Sequence, residues 1–201
     1  MTWIKTINYQ AAQGKLKKLY DRVKGPDNNV DNILMAHSLR PHTLQGHMMI
    51  YKNVLHNRAN ELPKSFLETL GVFVSLLNAC DYCIQHHFQG LKRLLDDDAR
   101  SAEVYKALEA DQPEQAFEGK WLEALKYARV LTQNPSDLSE KNMDALRTAG
   151  WDDGQILEIN QVSSYFAYAN RTVLGLGVNT KGDIIGLSPG DNDDPDNWSH
   201  A

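Results

Sequence analysis

The chain has 201 residues, a formal net charge of −5, 42% apolar and 23% charged residues, and a mean hydropathy of −0.49. These values lie in the ordinary globular range, away from the disordered, collagenous and membrane classes, and the length suffices for one sizeable core. Acidic residues are scattered along the chain and no basic stripe is present to neutralise phosphates, so nucleic acid is not an expected partner.

The first twenty residues, MTWIKTINYQAAQGKLKKLY, break every apolar run with Lys or Gln. They offer neither a secretory apolar region nor a span of roughly 20 apolar residues, which leads to the expectation of a cytoplasmic protein with no membrane partner. Downstream, helical periodicity dominates and no alternating strand pattern occurs, which predicts an all-α fold. Residues 11–24 form the first predicted helix, with Leu16, Leu19, Tyr20 and Val23 on one stripe and Gly25-Pro26 ending it. A second stretch begins near Ile33, is interrupted before Pro41, and resumes from Thr43 to Leu55. Lys64 to Leu77 then reads as a core helix, because Phe66, Leu67, Leu70, Phe73, Val74 and Leu77 make it apolar on most sides. Asn78-Ala79-Cys80-Asp81 punctuates that run, and a further helix follows from Tyr82 to Leu95.

Ser101 to Ala110 and Trp121 to Gln133 are the next predicted helices, the second stopped by Asn134-Pro135. Ser139 serves as an N-cap for Glu140 to Thr148. Asp152 and Gln155 have the spacing of a capping box and start the last helix, whose inward residues are Ile156, Ile159, Val162, Tyr165, Phe166, Ala169 and Val173. These elements predict one helical domain over residues 1–188. The remainder, residues 189–201, is acidic and nearly free of apolar residues, which predicts a mobile tail with Trp198 as its one anchor.

Two cysteines occur, three positions apart. A secreted disulfide scaffold spreads its cysteines to close long loops, whereas a lone C-x-x-C in a reducing compartment points to redox chemistry or to a metal. Placed at a helix start, the pair meets unpaired backbone N–H groups and the positive end of the helix dipole, both of which favour thiolate. At roughly 100° per residue, Cys80 and Cys83 lie about 60° apart, and His87 stands one turn beyond Cys83 on the same face. An imidazole there can accept a thiol proton and return it to a leaving oxygen.

Glu68 stands fifteen residues before Cys83. A single straight helix would separate the two by roughly 22 Å, outside any hydrogen-bonded relay. A turn at Asn78-Ala79 would instead close an antiparallel pair, placing Glu68, about 15 Å back from the turn, level with His87, about 13 Å forward of it.

Glu68, Asn78-Ala79-Cys80-Asp81-Tyr82-Cys83 and His86-His87, with Gly150-Trp151, Ile156 to Ile159, Asn170-Arg171 and Gly175 to Gly177 downstream, together resemble the alkyl hydroperoxidase D-like, peroxidase-related branch of the carboxymuconolactone decarboxylase superfamily. The resemblance covers roughly residues 33–180 and is strongest from Glu68 to His87. It implies an all-α, alkyl hydroperoxidase D-like helical bundle that assembles into homo-oligomers: dimers, trimers or hexamers. It further implies that Cys83 is the peroxidatic cysteine, Cys80 its resolving partner, and Glu68 with His87 the proton relay of a thiol-dependent peroxidase. The substrate would be a hydroperoxide and the electron donor an external dithiol of lipoyl or thioredoxin-like type. The sequence departs from the well-studied enzymes of that family at Tyr82, where they carry a His between the cysteines.

Other readings of the same residues remain. Cys80, Cys83 and His87 suit three of four tetrahedral zinc ligands, although no second ligand pair accompanies them and no metal is expected. Glu68 and His87 alone would serve as acid and base in a decarboxylase-like enzyme that needs no thiols. A non-catalytic helical oligomer that senses redox state through the disulfide is the third reading. Tyr82 is either a core residue or a weak substrate-binding residue, and His86, about 100° from His87, is a packing or interface residue. His37, His42 and His47 recur at fives, off any single helical face, and are expected on the surface or in loops. No flavin, haem or nucleotide motif is present, so no cofactor is expected.

Overall fold

The computed structural model describes residues 2–190, 194 and 197–200. Among them nine α-helices occur: α1 (Gly14–Val23), α2 (Asn32–Ala36), α3 (Pro41–Leu55), α4 (Lys64–Leu77), α5 (Asp81–Leu95), α6 (Asp98–Glu109), α7 (Gly119–Gln133), α8 (Glu140–Thr148) and α9 (Asp153–Leu176). The described β structure is an isolated bridge between Pro189 and His200, so the fold is all-α. No described helix is long and apolar enough to cross a membrane.

Local chemistry sets the helix ends. Pro41 occupies the first turn of α3, where its missing N–H is no loss, and the helix therefore begins two residues before the predicted Thr43. Asp97 caps α6 by accepting from the Arg100 backbone N–H at 2.9 Å, which starts that helix at Asp98 rather than at the predicted Ser101. The predicted Asp152–Gln155 pair is reciprocal. Gln155 N donates to Asp152 Oδ1 at 2.9 Å and Asp152 N donates to Gln155 Oε1 at 3.4 Å.

The chain divides into two compact units, Met1–Asn60 with Arg171–Ala201, and Glu61–Asn170. In the first, α1 buries Leu16, Leu19, Tyr20 and Val23, and α3 buries Leu44, His47, Met48, Tyr51 and Leu55. His47 is three residues after Leu44 and four before Tyr51, which puts it on the inward stripe. His47 is therefore buried inside a helix, correcting the expectation of a surface or loop histidine; His37 lies in the turn after α2, as expected of a loop histidine, but is buried there, and His42 is exposed as expected. The His37 and His47 rings lie 5.2 Å apart, and His37 Nδ1 contacts Thr43 Oγ1 at 2.8 Å. Residues 191–193, 195, 196 and 201 of the acidic tail lie outside the described residues. Within the tail Trp198 is buried, with the Arg22 guanidinium 3.7 Å from its ring centroid.

The second unit is built around α4, whose residues Phe66 to Ser75 are all buried. An aromatic group of Phe66, Trp121 and Trp151, with centroids 4.6 Å and 5.0 Å apart along that sequence, fills the end where α4 begins. There Glu158 of α9 accepts from the backbone N–H groups of Glu61 and Leu62 at 2.8 Å and 2.9 Å. These bonds fix the entry of the chain into α4.

Candidate active site

The other end of α4 carries the turn that the site requires. Ala79 N donates to Leu76 O at 2.9 Å and Cys80 N donates to Ser75 O at 2.9 Å, the paired bonds of a Schellman ending. Ala79 occupies the left-handed position at φ 52°, which glycine normally fills. The Asn78 side chain adds a third bond, from Nδ2 to Val74 O at 3.0 Å. The chain thus reverses within three residues, and α5 starts at Asp81 with Cys80 as its N-cap residue.

That reversal makes α4 and α5 an antiparallel hairpin and brings Glu68 level with His87. Glu68 Oε2 and His87 Nδ1 lie 2.8 Å apart, with Glu68 at 3% exposure. A carboxylate on Nδ1 holds the proton there, so that Nε2 is the nitrogen left to accept. Gly90, one turn below His87, lies beside the carboxylate, and a Cβ there would stand in ordinary van der Waals contact with Glu68 Oε1 at 3.7 Å. Phe166 of α9 sets its ring edge-to-face with His87, centroids 4.5 Å apart. The Phe166 ring in turn lies over Gly71, where a Cβ would come within 2.2 Å of Phe166 Cζ. A bare backbone at Gly71 is what lets Phe166 approach.

Cys80 and Cys83 are both free and buried, and their sulfurs lie 3.1 Å apart. This is about 1 Å from disulfide bonding distance. The pair is electrically unequal. The hydrogen bond shared with the Cys83 thiol holds the Cys80 thiol below the ordinary thiol range against the opposing effect of burial. The same shared proton, together with burial and the charge on Cys80, pushes the Cys83 thiol well above that range.

Sequence reasoning named Cys80, Cys83, His87 and Glu68, and the fold carries all four on one hairpin. Tyr82 is buried with its ring 4.6 Å from that of His86, and the two pack together around α5 from the His87 face. Asn170, Ser75 and Phe166 were not anticipated as site residues. Asn170 is buried, donates from Nδ2 to Ser75 Oγ at 3.0 Å and accepts from Asn78 Nδ2 at 3.0 Å. One signal was available, since Asn170 interrupts the apolar stripe between Phe166 and Val173. Among the described residues no group of three or more His, Cys, Asp or Glu is arranged to hold a metal ion.

No protein-family model matches the sequence, and no curated protein matches it. Solved structures do share its fold. An alkylhydroperoxidase AhpD core structure, an uncharacterized peroxidase-related protein from Ralstonia eutropha JMP134, superposes with a TM-score of 0.73 at 16% identity, covering 89% of this chain and 91% of that one. An uncharacterized peroxidase-related protein from Silicibacter sp. TM1040 gives 0.67 at 22% identity over 76% and 78% of the two chains. A cysteine-to-alanine variant of the debrominase Bmp8, in complex with 2,3,4-tribromopyrrole, gives 0.68 at 13% identity over 88% and 90%. The fold is therefore alkyl hydroperoxidase D-like, a fold that also carries debrominase chemistry.

Proposed function

We propose that the chain is a thiol-dependent peroxidase that reduces a hydroperoxide at the Cys80–Cys83 dithiol, as a member of the alkyl hydroperoxidase D-like group. The observation that carries this reading is a free dithiol at 3.1 Å on the same hairpin as a carboxylate–imidazole pair at 2.8 Å. Cys83, one helical turn from His87, is the attacking sulfur. Its raised thiol needs a base, and a sulfur that holds its proton tightly is intrinsically the better nucleophile once that proton is removed.

In the first step His87, held by Glu68, takes the Cys83 proton and the sulfur attacks the terminal peroxide oxygen. The O–O bond breaks, leaving a sulfenic acid on Cys83, and the alkoxide receives the proton from His87 and departs as an alcohol. Cys80 then attacks the Cys83 sulfur and displaces hydroxide, which leaves as water after protonation, and the disulfide closes. An external dithiol of lipoyl or thioredoxin-like type returns two electrons and is itself oxidised to a disulfide. A reducing cytoplasmic setting and assembly into homo-oligomers belong to the same proposal.

The test is steady-state consumption of an organic hydroperoxide with a dithiol donor. Cys83→Ser should abolish turnover to the level of the donor alone. Full turnover in that variant would refute the assignment, and activity surviving in a Cys80/Cys83 double Ser variant would move the chemistry to Glu68 and His87.

A further inference from the structure

We propose a second ligand site on this chain, an aromatic-walled cavity at the start of α4 that takes a small aromatic carboxylate through Arg100. The site goes beyond the dithiol chemistry and does not depend on it.

The cavity opens where α5 ends. Directly after Leu95 the chain turns at Asp96, which lies in the left-handed region at φ 47°, and α6 then starts from its own cap at Asp97. Between α4, α6 and the segment that leads into α7 a space of about 210 Å3 is left, with Phe66, Leu95, Val104, Phe117 and Trp121 as its apolar walls. Sites for drug-sized ligands occupy about 300–1,000 Å3, so this one is sized for a single ring. Phe66 stands edge-to-face with Trp121 and with Phe117, centroids 4.6 Å and 6.4 Å apart, and a ligand ring would extend the same packing.

Charge decides which ring. Arg100 is the one charged residue among those lining the cavity, and it is held in place. Its backbone N–H donates to Asp97 Oδ1 at 2.9 Å, its Nη2 donates to Ala116 O at 2.6 Å, and its guanidinium lies 5.3 Å from the Phe117 centroid. A side chain already fixed loses little entropy on gripping a ligand. The remaining contact, Nη1 to Glu103 Oε2 at 2.6 Å, is an exposed pair one turn apart on α6. Such a pair contributes little and leaves the other guanidinium donors for a carboxylate. Lys120 supplies a second cation, 5.0 Å from the Trp121 centroid and 4.3 Å from that of Trp151. Rings that would otherwise attract a cationic ligand thus already carry Arg100 and Lys120. The nearby carboxylates, Glu103, Glu114 and Glu118, line the adjoining groove rather than the cavity.

Two further donors stand on the wall. Ser65 Oγ and the Trp121 indole N–H belong to half-buried residues and have no hydrogen-bond partner among the described residues. Thr69, also on the wall, precedes Cys80 by eleven residues, roughly 16 Å along α4, so the occupant sits apart from the sulfurs.

The test is fluorine NMR of the whole protein carrying fluorinated tryptophan, titrated with phenylacetate and assigned with single Trp→Phe variants. The Trp121 signal, and more weakly that of Trp151 beside it, should move saturably at millimolar concentration or below, while Trp3 and Trp198 of the first unit stay. Phenylacetamide, of the same shape without the charge, should bind at least about tenfold more weakly, and phenylacetate should lose the same factor in Arg100→Gln. An unmoved Trp121 signal would overturn the proposal, as would equal binding of acid and amide, tighter binding of benzylammonium, or a folded Arg100→Gln variant with unchanged affinity. If Arg100→Gln does not fold, the comparison of acid, amide and ammonium on the unsubstituted protein decides. No peroxide and no thiol enters these measurements, so they stand or fall separately from the turnover of Cys83→Ser.

Discussion

Among single residues the proton relay depends on Glu68, a carboxylate at 3% exposure whose hydrogen bond to His87 replaces part of its lost hydration. The two members of that pair should fail differently when substituted. Glu68→Gln keeps an acceptor for His87 Nδ1 but removes the charge that supports an imidazolium. It should slow single-turnover oxidation by about 10²-fold, within the usual range for general acid–base groups, and leave the urea midpoint nearly unchanged. His87→Ala deletes the base and also the hydrogen bond of a buried carboxylate, so it should abolish rapid oxidation and cost about 1–3 kcal/mol of stability. Equal oxidation rates in Glu68→Gln and the parent would remove Glu68 from the mechanism. Cys80, Cys83 and His87 were legible because C-x-x-C and a His one turn later are local patterns, whereas Glu68, fifteen residues before Cys83, was legible only through the family resemblance and a turn at Asn78-Ala79. Asn170 was not, because its partners Ser75 and Asn78 are 95 and 92 positions away and meet it only through the packing of α9 on α4.

The elements carry their own tests, because the hairpin depends on two positions, Ala79 and Gly71, where a Cβ is costly. Ala79 sits at φ 52° in the Schellman turn, a conformation that costs an L-residue roughly 1–2 kcal/mol. Ala79→Gly should relieve that strain and, after the added entropy of the unfolded chain, raise Tm by about 2 °C, read by calorimetry. A lowered Tm would mean that the turn is not strained. Gly71→Ala should do the reverse, since its Cβ would lie 2.2 Å from Phe166 Cζ. Forcing Phe166 away should cost about 1–3 kcal/mol and disturb the ring that packs on His87. The starts of α8 and α9 were readable because Ser139 and Asp152 make their capping contacts within three residues. The early start of α6 was missed because Asp97, inside an acidic run, gives no sequence sign that it caps rather than ends a helix.

For the whole molecule, all-helical architecture was legible from periodicity, whereas the division at Asn60 and Asn170 was not, since the latter falls inside the continuous helix α9. The buried histidines of the first unit give its stability a direction with pH. Burial first, then the neighbouring His37 and His200, pushes His47 down to about 3. It is neutral when folded but gains a proton when unfolded below about 6.5. The unfolded state therefore binds more protons as pH falls from about 6.5 towards about 3, and stability declines by about 1.4 kcal/mol per pH unit across that window. Urea unfolding should show a loss of about 2 kcal/mol between pH 7 and pH 5, with a shallower slope in His47→Leu; a flat profile would exclude this linkage. The dithiol itself is tested most directly by mass spectrometry of the reduced protein after one molar equivalent of an organic hydroperoxide. The expected result is loss of both thiols, a mass lower by two hydrogens and a peptide linking Cys80 to Cys83. Unmodified thiols beside unconsumed peroxide, or Cys83 oxidised to the sulfinic acid with Cys80 still free, would contradict it.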